Sequence, residues 1–243
     1  MAVFIAHSSE IEKNFDANGF AKVELLPGTY SGGITNYKCF LKAGKTYSPE
    51  LYAGKTVLLI FGKGKGYLCD AESSYNICEL SFYVPDFDKQ TYTIHAVEDM
   101  EFIFSIVEMN EWDMEGFNAC HNYLPAFKRM SQCDRYLQDC KGPHTMSWHV
   151  FTSKQIGRIM VGIVRAVGEG TVEKGHPSVE QWNYCIGNAD FTLTVGDESV
   201  NTKSGDWSYV PAGLDHSLTA EPGKEVFYVW YEHFTQEDYC RES

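Results

Sequence analysis

The stretch from Gly168 to His216 constrains the fold more than any other part of this chain, because its glycines, histidines and acidic residues keep fixed spacings. Five residues separate Gly168 from Lys174, one separates Lys174 from His176, three separate His176 from Glu180, and six separate Glu180 from Gly187. A second block runs Gly205, five residues, Pro211-Ala212-Gly213, two residues, His216. His176 and Glu180 stand four apart, so on an extended strand they point to one face, which Trp182, Tyr184 and Ile186 continue. Pro211-Ala212-Gly213 is a turn, with Pro fixing φ and Gly free to take positive φ, and His216 opens the next strand. Two neutral imidazoles and one carboxylate meeting at a point suit a first-row divalent ion with open coordination positions. Without the ion, the same three groups are a hydrogen-bonded polar cluster inside a barrel.

These blocks resemble the two signatures of the cupin superfamily: glycine, five residues, His-x-His, three or four residues, Glu, six residues, glycine; then glycine, five residues, Pro-x-Gly, two residues, His. The resemblance departs at one place, where Lys174 stands for the first histidine. It implies a jelly-roll barrel that holds a divalent transition metal (Mn, Fe, Zn or Ni) at His176, Glu180 and His216 and takes a small molecule at its mouth. The reaction types it brings are sugar isomerisation, lyase or decarboxylase steps, aminohydrolase chemistry and oxygenation. Trp182 and Tyr184, with Tyr209 from the neighbouring strand, are expected to form the aromatic substrate wall. Lys174 is the candidate catalytic lysine. A nearby cation and burial would both lower its pKa, so it is expected at the barrel mouth, where it can meet an anionic substrate group.

The rest of the chain repeats this pattern. Ser81-Phe-Tyr-Val-Pro85 echoes Trp207-Ser-Tyr-Val-Pro211, and Val57–Gly62 echoes Asn183–Gly187 at a matching offset. Aromatic residues make up 14 % of the chain, and short aromatic runs punctuated by glycine read as strands. The fold predicted is all-β, with two cupin-type (double-stranded β-helix, jelly-roll) barrels in one chain. Residues 1–109 form a degenerate first barrel, 110–155 a connecting segment, and 156–243 the barrel with the site. Counting from the echoes, the first barrel offers Pro49, Leu51, Lys55 and Gln90 at the ligand positions, so it is expected to be closed by side chains. Asn122–Asp139 reads as partly helical, and His144 and His149 as ordinary polar residues.

A formal net charge of −13 argues against nucleic acid or an anionic membrane surface as partner. No run approaches the length of a membrane helix, and the N-terminus lacks the basic region of a signal peptide, so a cytoplasmic location is expected. None of the eight cysteines forms a Cys-x-x-Cys pair, so they are read as reduced thiols. The function expected is a metal-dependent bicupin enzyme (isomerase, lyase or hydrolase) acting on a small sugar-like or carboxylate metabolite. The alternatives are a non-catalytic small-molecule binder and a metal-free enzyme using Lys174. A homodimer is expected by analogy.

Overall fold

The computed structural model describes residues 3–29, 33–86, 89–119, 124–152 and 155–235. The chain divides into two compact units, one of residues 11–27 and 31–132, the other of residues 1–10, 28–30 and 133–243. These limits differ from the predicted 1–109, 110–155 and 156–243. Strand β1 (Phe4–Ala6) pairs with a strand of the second unit, and the connecting segment is shared between the two units. An exposed sheet edge presents unpaired N–H and C=O groups, and recruiting a short strand covers it.

The first unit follows with β2 (Phe20–Glu24), β3 (Ile34–Leu41), β4 (Thr46–Tyr47), β5 (Lys55–Lys63), β6 (Gly66–Cys69), β7 (Ser74–Ile77), β8 (Ser81–Val84), β9 (Thr93–Ala96), β10 (Met100–Glu108), helix α1 (Glu111–Ala119) and β11 (Ala126–Arg129). They make a six-stranded sheet in the order β11-β8-β5-β10-β3-β2 and a four-stranded sheet in the order β4-β9-β6-β7. Leu59, Phe61, Tyr83, Tyr92, Met100, Phe102 and Phe104 pack together as its core. Of the counted ligand positions, Leu51 is exposed and Lys55 pairs at the surface with Glu108. Large apolar side chains hold the interior of this unit.

The second unit comprises β12 (Asp134–Tyr136), β13 (Met146–Phe151), β14 (Ile159–Val167), β15 (Gly170–Glu173), β16 (Val179–Cys185), β17 (Asp190–Val195), β18 (Glu198–Lys203), β19 (Trp207–Val210), β20 (His216–Thr219) and β21 (Glu225–Phe234). Its large sheet runs β1-β19-β16-β21-β14-β13-β12 and its small sheet β15-β20-β17-β18. The two large sheets share one strand order, with β8, β5, β10 and β3 matching β19, β16, β21 and β14. The repeat seen in sequence is therefore a repeat of topology. Val164, Cys185, Phe191, Leu193, Val195, Val210, Leu218 and Tyr228 form the core between the sheets.

The partly helical reading of Asn122–Asp139 holds, among the described residues, only for a single 3-10 turn at Met130–Gln132, and residues 126–129 and 134–136 are strands. Each pairs with a barrel strand, β11 with β8 and β12 with β13, and sheet pairing overrides the weak helical period. Residues 122 and 123 lie outside the described residues. No helix among the described residues is long and apolar enough to cross a membrane.

Candidate functional site

Register decides which side chains reach the interior of the second barrel. On β16, Gln181 pairs with Val210 and Glu232, Asn183 with Ser208 and Trp230, and Cys185 with Tyr228. Val210, Cys185, Trp230 and Tyr228 belong to the barrel core. The odd-numbered positions therefore face inward, because side chains alternate along a strand. Glu180, Trp182 and Tyr184 take the other face of the large sheet.

There the Tyr209 hydroxyl donates to Glu180 Oε1 at 2.7 Å, and His233 Nδ1 lies 3.9 Å from Glu180 Oε2. Burial pushes the Tyr209 phenol up, and the Glu180 carboxylate adds to it. Trp182 packs on Tyr209 and Tyr231 with ring centroids 5.3 and 5.2 Å away. These aromatic side chains pack together, but Glu180, Trp182, Tyr184 and Tyr209 do not face the barrel interior, where a substrate wall was expected. The reason is that β16 is buried on both faces, so the aromatic side of the strand is not its interior side.

The other predicted residues divide. His216 and Glu173 are partners across β20 and β15, on the side of Leu218 and Thr171. His216 Nε2 lies 3.4 Å from Glu173 Oε2, and its Nδ1 lies 3.1 Å from the Leu214 carbonyl. His176 Nε2 lies 4.0 Å from the same Glu173 oxygen. The loop carrying His176 is held by backbone contacts: Gly213 N–H donates to the His176 carbonyl at 2.9 Å. Gly213 has φ 85°, which the turn predicted at Pro211–Gly213 requires. Lys174 points to solvent, its side chain 92 % exposed, and pairs with Asp215 Oδ2 at 2.7 Å. Asp215 raises the Lys174 pKa, through the hydrogen bond first and then its charge. That is the wrong direction for a neutral base.

A cavity of about 290 Å³ is lined by Tyr136, Gln138, Lys141, His149, Met160, Glu173, His176, Gln181, Tyr228, Trp230 and Glu232. Part of the lining is polar. Lys141, its side chain 5 % exposed, reaches within 3.6 Å of Glu173 Oε1. The Cys140 thiol donates to that oxygen at 3.6 Å and is pushed up to about 11, by burial and then by Glu173. Aromatic rings line the same space, and Lys141 Nζ lies 5.3 Å from the centroid of the Tyr136 ring. The Tyr136 and His149 rings stack at 3.9 Å, and His149 meets Trp230 edge-on at 6.2 Å. Burial lowers the His149 pKa, and the charge of Lys141 adds to it. His149, read from sequence as an ordinary polar residue, thus belongs to the cavity wall.

The two acidic residues of the cavity are driven apart. Burial opposes ionisation of Glu173, but the His216 hydrogen bond and the nearby charge of Lys141 more than offset it and bring it down to about 2. Burial, and then the Glu173 charge, raise Glu232 to about 7 against the smaller pull of His216 and Lys141. Burial also pulls His216 down, yet its bond to Glu173 and that carboxylate's charge leave it raised. Gln181, 4 % exposed, donates from Nε2 to Asn183 Oδ1 at 2.9 Å, while its Oε1 has no donor among the described residues.

The set His176, Glu180 and His216 does not converge on a metal position, since Glu180 lies across the sheet. Among the described residues no group of three or more His, Cys, Asp or Glu side chains is arranged to hold a metal ion. Sequence reasoning missed Glu173, Gln181, Lys141 and Glu232. Glu232 carried a signal, an acid placed directly after the apolar run Val226–Tyr231. Lys141, from a turn far from the motif, carried none.

No protein-family model matches the chain, and no curated protein matches it in sequence. Solved structures do. A protein of Pseudomonas aeruginosa described as glyoxylate-induced superposes with a TM-score of 0.76 at 12 % identity, covering 97 % of this chain and 90 % of that one. A cupin 2 conserved barrel domain protein of Leptotrichia buccalis gives 0.63 at 12 % identity, over 95 % and 96 %. The oxalate decarboxylase of Lactobacillus farciminis, in its formate complex, gives 0.66 at 14 % identity, over 96 % and 86 %. Together with the repeated strand order, these likenesses show that the chain has the cupin fold, with one barrel in each half.

Proposed function

We propose that the second barrel is the centre of an enzyme that moves a proton on a small sugar-like or carboxylate metabolite, with Glu232 as the acid–base group. One observation carries this reading: two carboxyl groups line one cavity, with Glu173 at about 2 and Glu232 at about 7. A pair of acids pushed apart in this way separates the group that stays charged from the group that exchanges protons near neutral pH. Glu173 stays ionised and holds His216 and Lys141. The Lys141 ammonium, in the cavity lining, faces a charge that develops on a substrate oxygen when the neighbouring carbon loses a proton. The reaction class is proton abstraction beside a carbonyl, as in isomerases and lyases. The likeness to an oxalate decarboxylase supports a carboxylate among the candidate substrates.

The test is deuterium incorporation from D₂O into a panel of small oxo acids, hydroxy acids and free sugars. Exchange should rise around pH 7 and fall roughly 10²–10⁴-fold in Glu232→Gln, the usual worth of one acid–base group. Exchange that Glu232→Gln leaves intact would overturn the reading.

A metal-dependent reaction is the second reading. The Nε2 atoms of His176 and His216 lie 4.0 and 3.4 Å from Glu173 Oε2, which brings three potential donors near one point without the arrangement of a formed metal site. A bound divalent ion would act as a Lewis acid on a substrate oxygen. Elemental analysis separates the two readings. About one metal ion per chain, lost in His216→Ala, would favour the metal; a trace amount would favour Glu232 acting without one. A small-molecule partner, a cytoplasmic location and a homodimer complete the proposal, and sedimentation measures the last.

A further inference from the structure

The amide of Gln181 is held in one orientation by its neighbours. Its Nε2 donates to Asn183 Oδ1 at 2.9 Å, and Asn183 Nδ2 donates on to Ser208 Oγ at 3.4 Å. All three side chains are buried. The amide nitrogen is thus engaged along the sheet, and the carbonyl Oε1 remains as an acceptor with no donor among the described residues. A buried acceptor without a donor is costly, and its partner is an ordered water or a group that arrives with a ligand.

Gln181 lines the cavity and sits opposite Glu232 across β16 and β21, with Met160 opposite Glu232 on its other side. One turn deeper, Trp230 pairs with Asn183 and covers Gly162. Lys141 Nζ, at 3.6 Å from Glu173, is too far for a full hydrogen bond to it, so its donors can serve an anionic group. Cation, acceptor and aromatic wall border one space.

We infer that Gln181 Oε1 reads a hydroxyl on the ligand, which is a hydroxylated carboxylate with its hydroxyl on Gln181 and its carboxylate towards Lys141. The inference rests on the cavity being the ligand site, not on Glu232 being its acid. A site built around a buried acceptor rejects the analogue that lacks the matching donor, because the acceptor then stays unpaired.

Calorimetry with two pairs of probes tests this: tartrate against succinate, and mandelate against phenylacetate, each pair differing only in hydroxyl groups. The wild type should bind the hydroxylated member roughly ten-fold tighter, the worth of one hydrogen bond in a buried site. The preference should persist in Gln181→Glu, which keeps an acceptor, and fall to about one in Gln181→Met. Glu232→Gln should keep the preference even as it loses exchange, so failure of this inference and failure of the acid–base reading are distinguishable. Equal binding of both members by the wild type would overturn the inference whether or not the variants fold. So would a Gln181→Met protein that keeps the preference.

Discussion

A side chain's chemistry in this barrel is set by which oxygen it faces. Glu173 is the hub: His216, His176, Lys141 and Cys140 all approach its two oxygens. Its folded pKa of about 2 lies below the ordinary value of 4.5, so it stabilises the fold above that value and the contribution is lost as pH falls towards 2. Glu232 has the opposite sign. Its folded pKa of about 7 lies above 4.5, so its contribution is fully present below 4.5 and lost as pH rises through 7. Urea melts of wild type and Glu232→Gln should therefore diverge with pH, the variant gaining on the order of 2 kcal/mol relative to wild type between pH 5 and pH 8.5. A constant difference would remove Glu232 from the buried acids. Lys174 should matter little. It faces solvent beside Asp215, so Lys174→Met is expected to leave probe binding unchanged in calorimetry, whereas Lys141→Met should weaken binding of every carboxylate probe.

Strands, not single residues, explain what the sequence showed and what it hid. Two of the spaced residues do meet: β15, the His176 loop, the Pro211–Gly213 turn and β20 bring His176 and His216 to one acidic oxygen. Parity on β16 was hidden, because Val179–Cys185 is buried throughout and no polar–apolar alternation marks its inner face. Glu180 and Gln181 are adjacent polar residues, and only cross-strand register tells them apart. The groups from β12, β13, β21 and the Cys140–Lys141 turn are distant in sequence and had no motif to announce them. β14 shows how closely the wall is fitted. A Cβ at Gly162 would land on the Trp230 ring and close to the Trp148 carbonyl. Gly162→Ala should cost about 1–3 kcal/mol by overpacking and shift the Trp230 fluorescence. An unshifted spectrum with unchanged stability would mean that the ring is free to move.

At the scale of the whole molecule, the second unit depends on the first ten residues. β1 pairs with β19 along Phe4–Tyr209, Ile5–Ser208 and Ala6–Trp207. Asp206 clasps the strand's end, accepting from the Ser8 N–H at 2.8 Å and facing His7 Nδ1 at 3.0 Å. Removing residues 1–9 bares the β19 edge and takes Val3 from the core, so a loss of roughly 2 kcal/mol or more and a tendency to associate are expected in melts and light scattering. The same pairing has a consequence in time. His7 and Asp206 are 199 residues apart. At about 5–20 residues per second, a growing chain carries its first strand for roughly 10–40 seconds before the partner is made. While the intervening residues are being made, then, β1 is an unclaimed strand, and the β19 edge is covered only by a segment synthesised long before it.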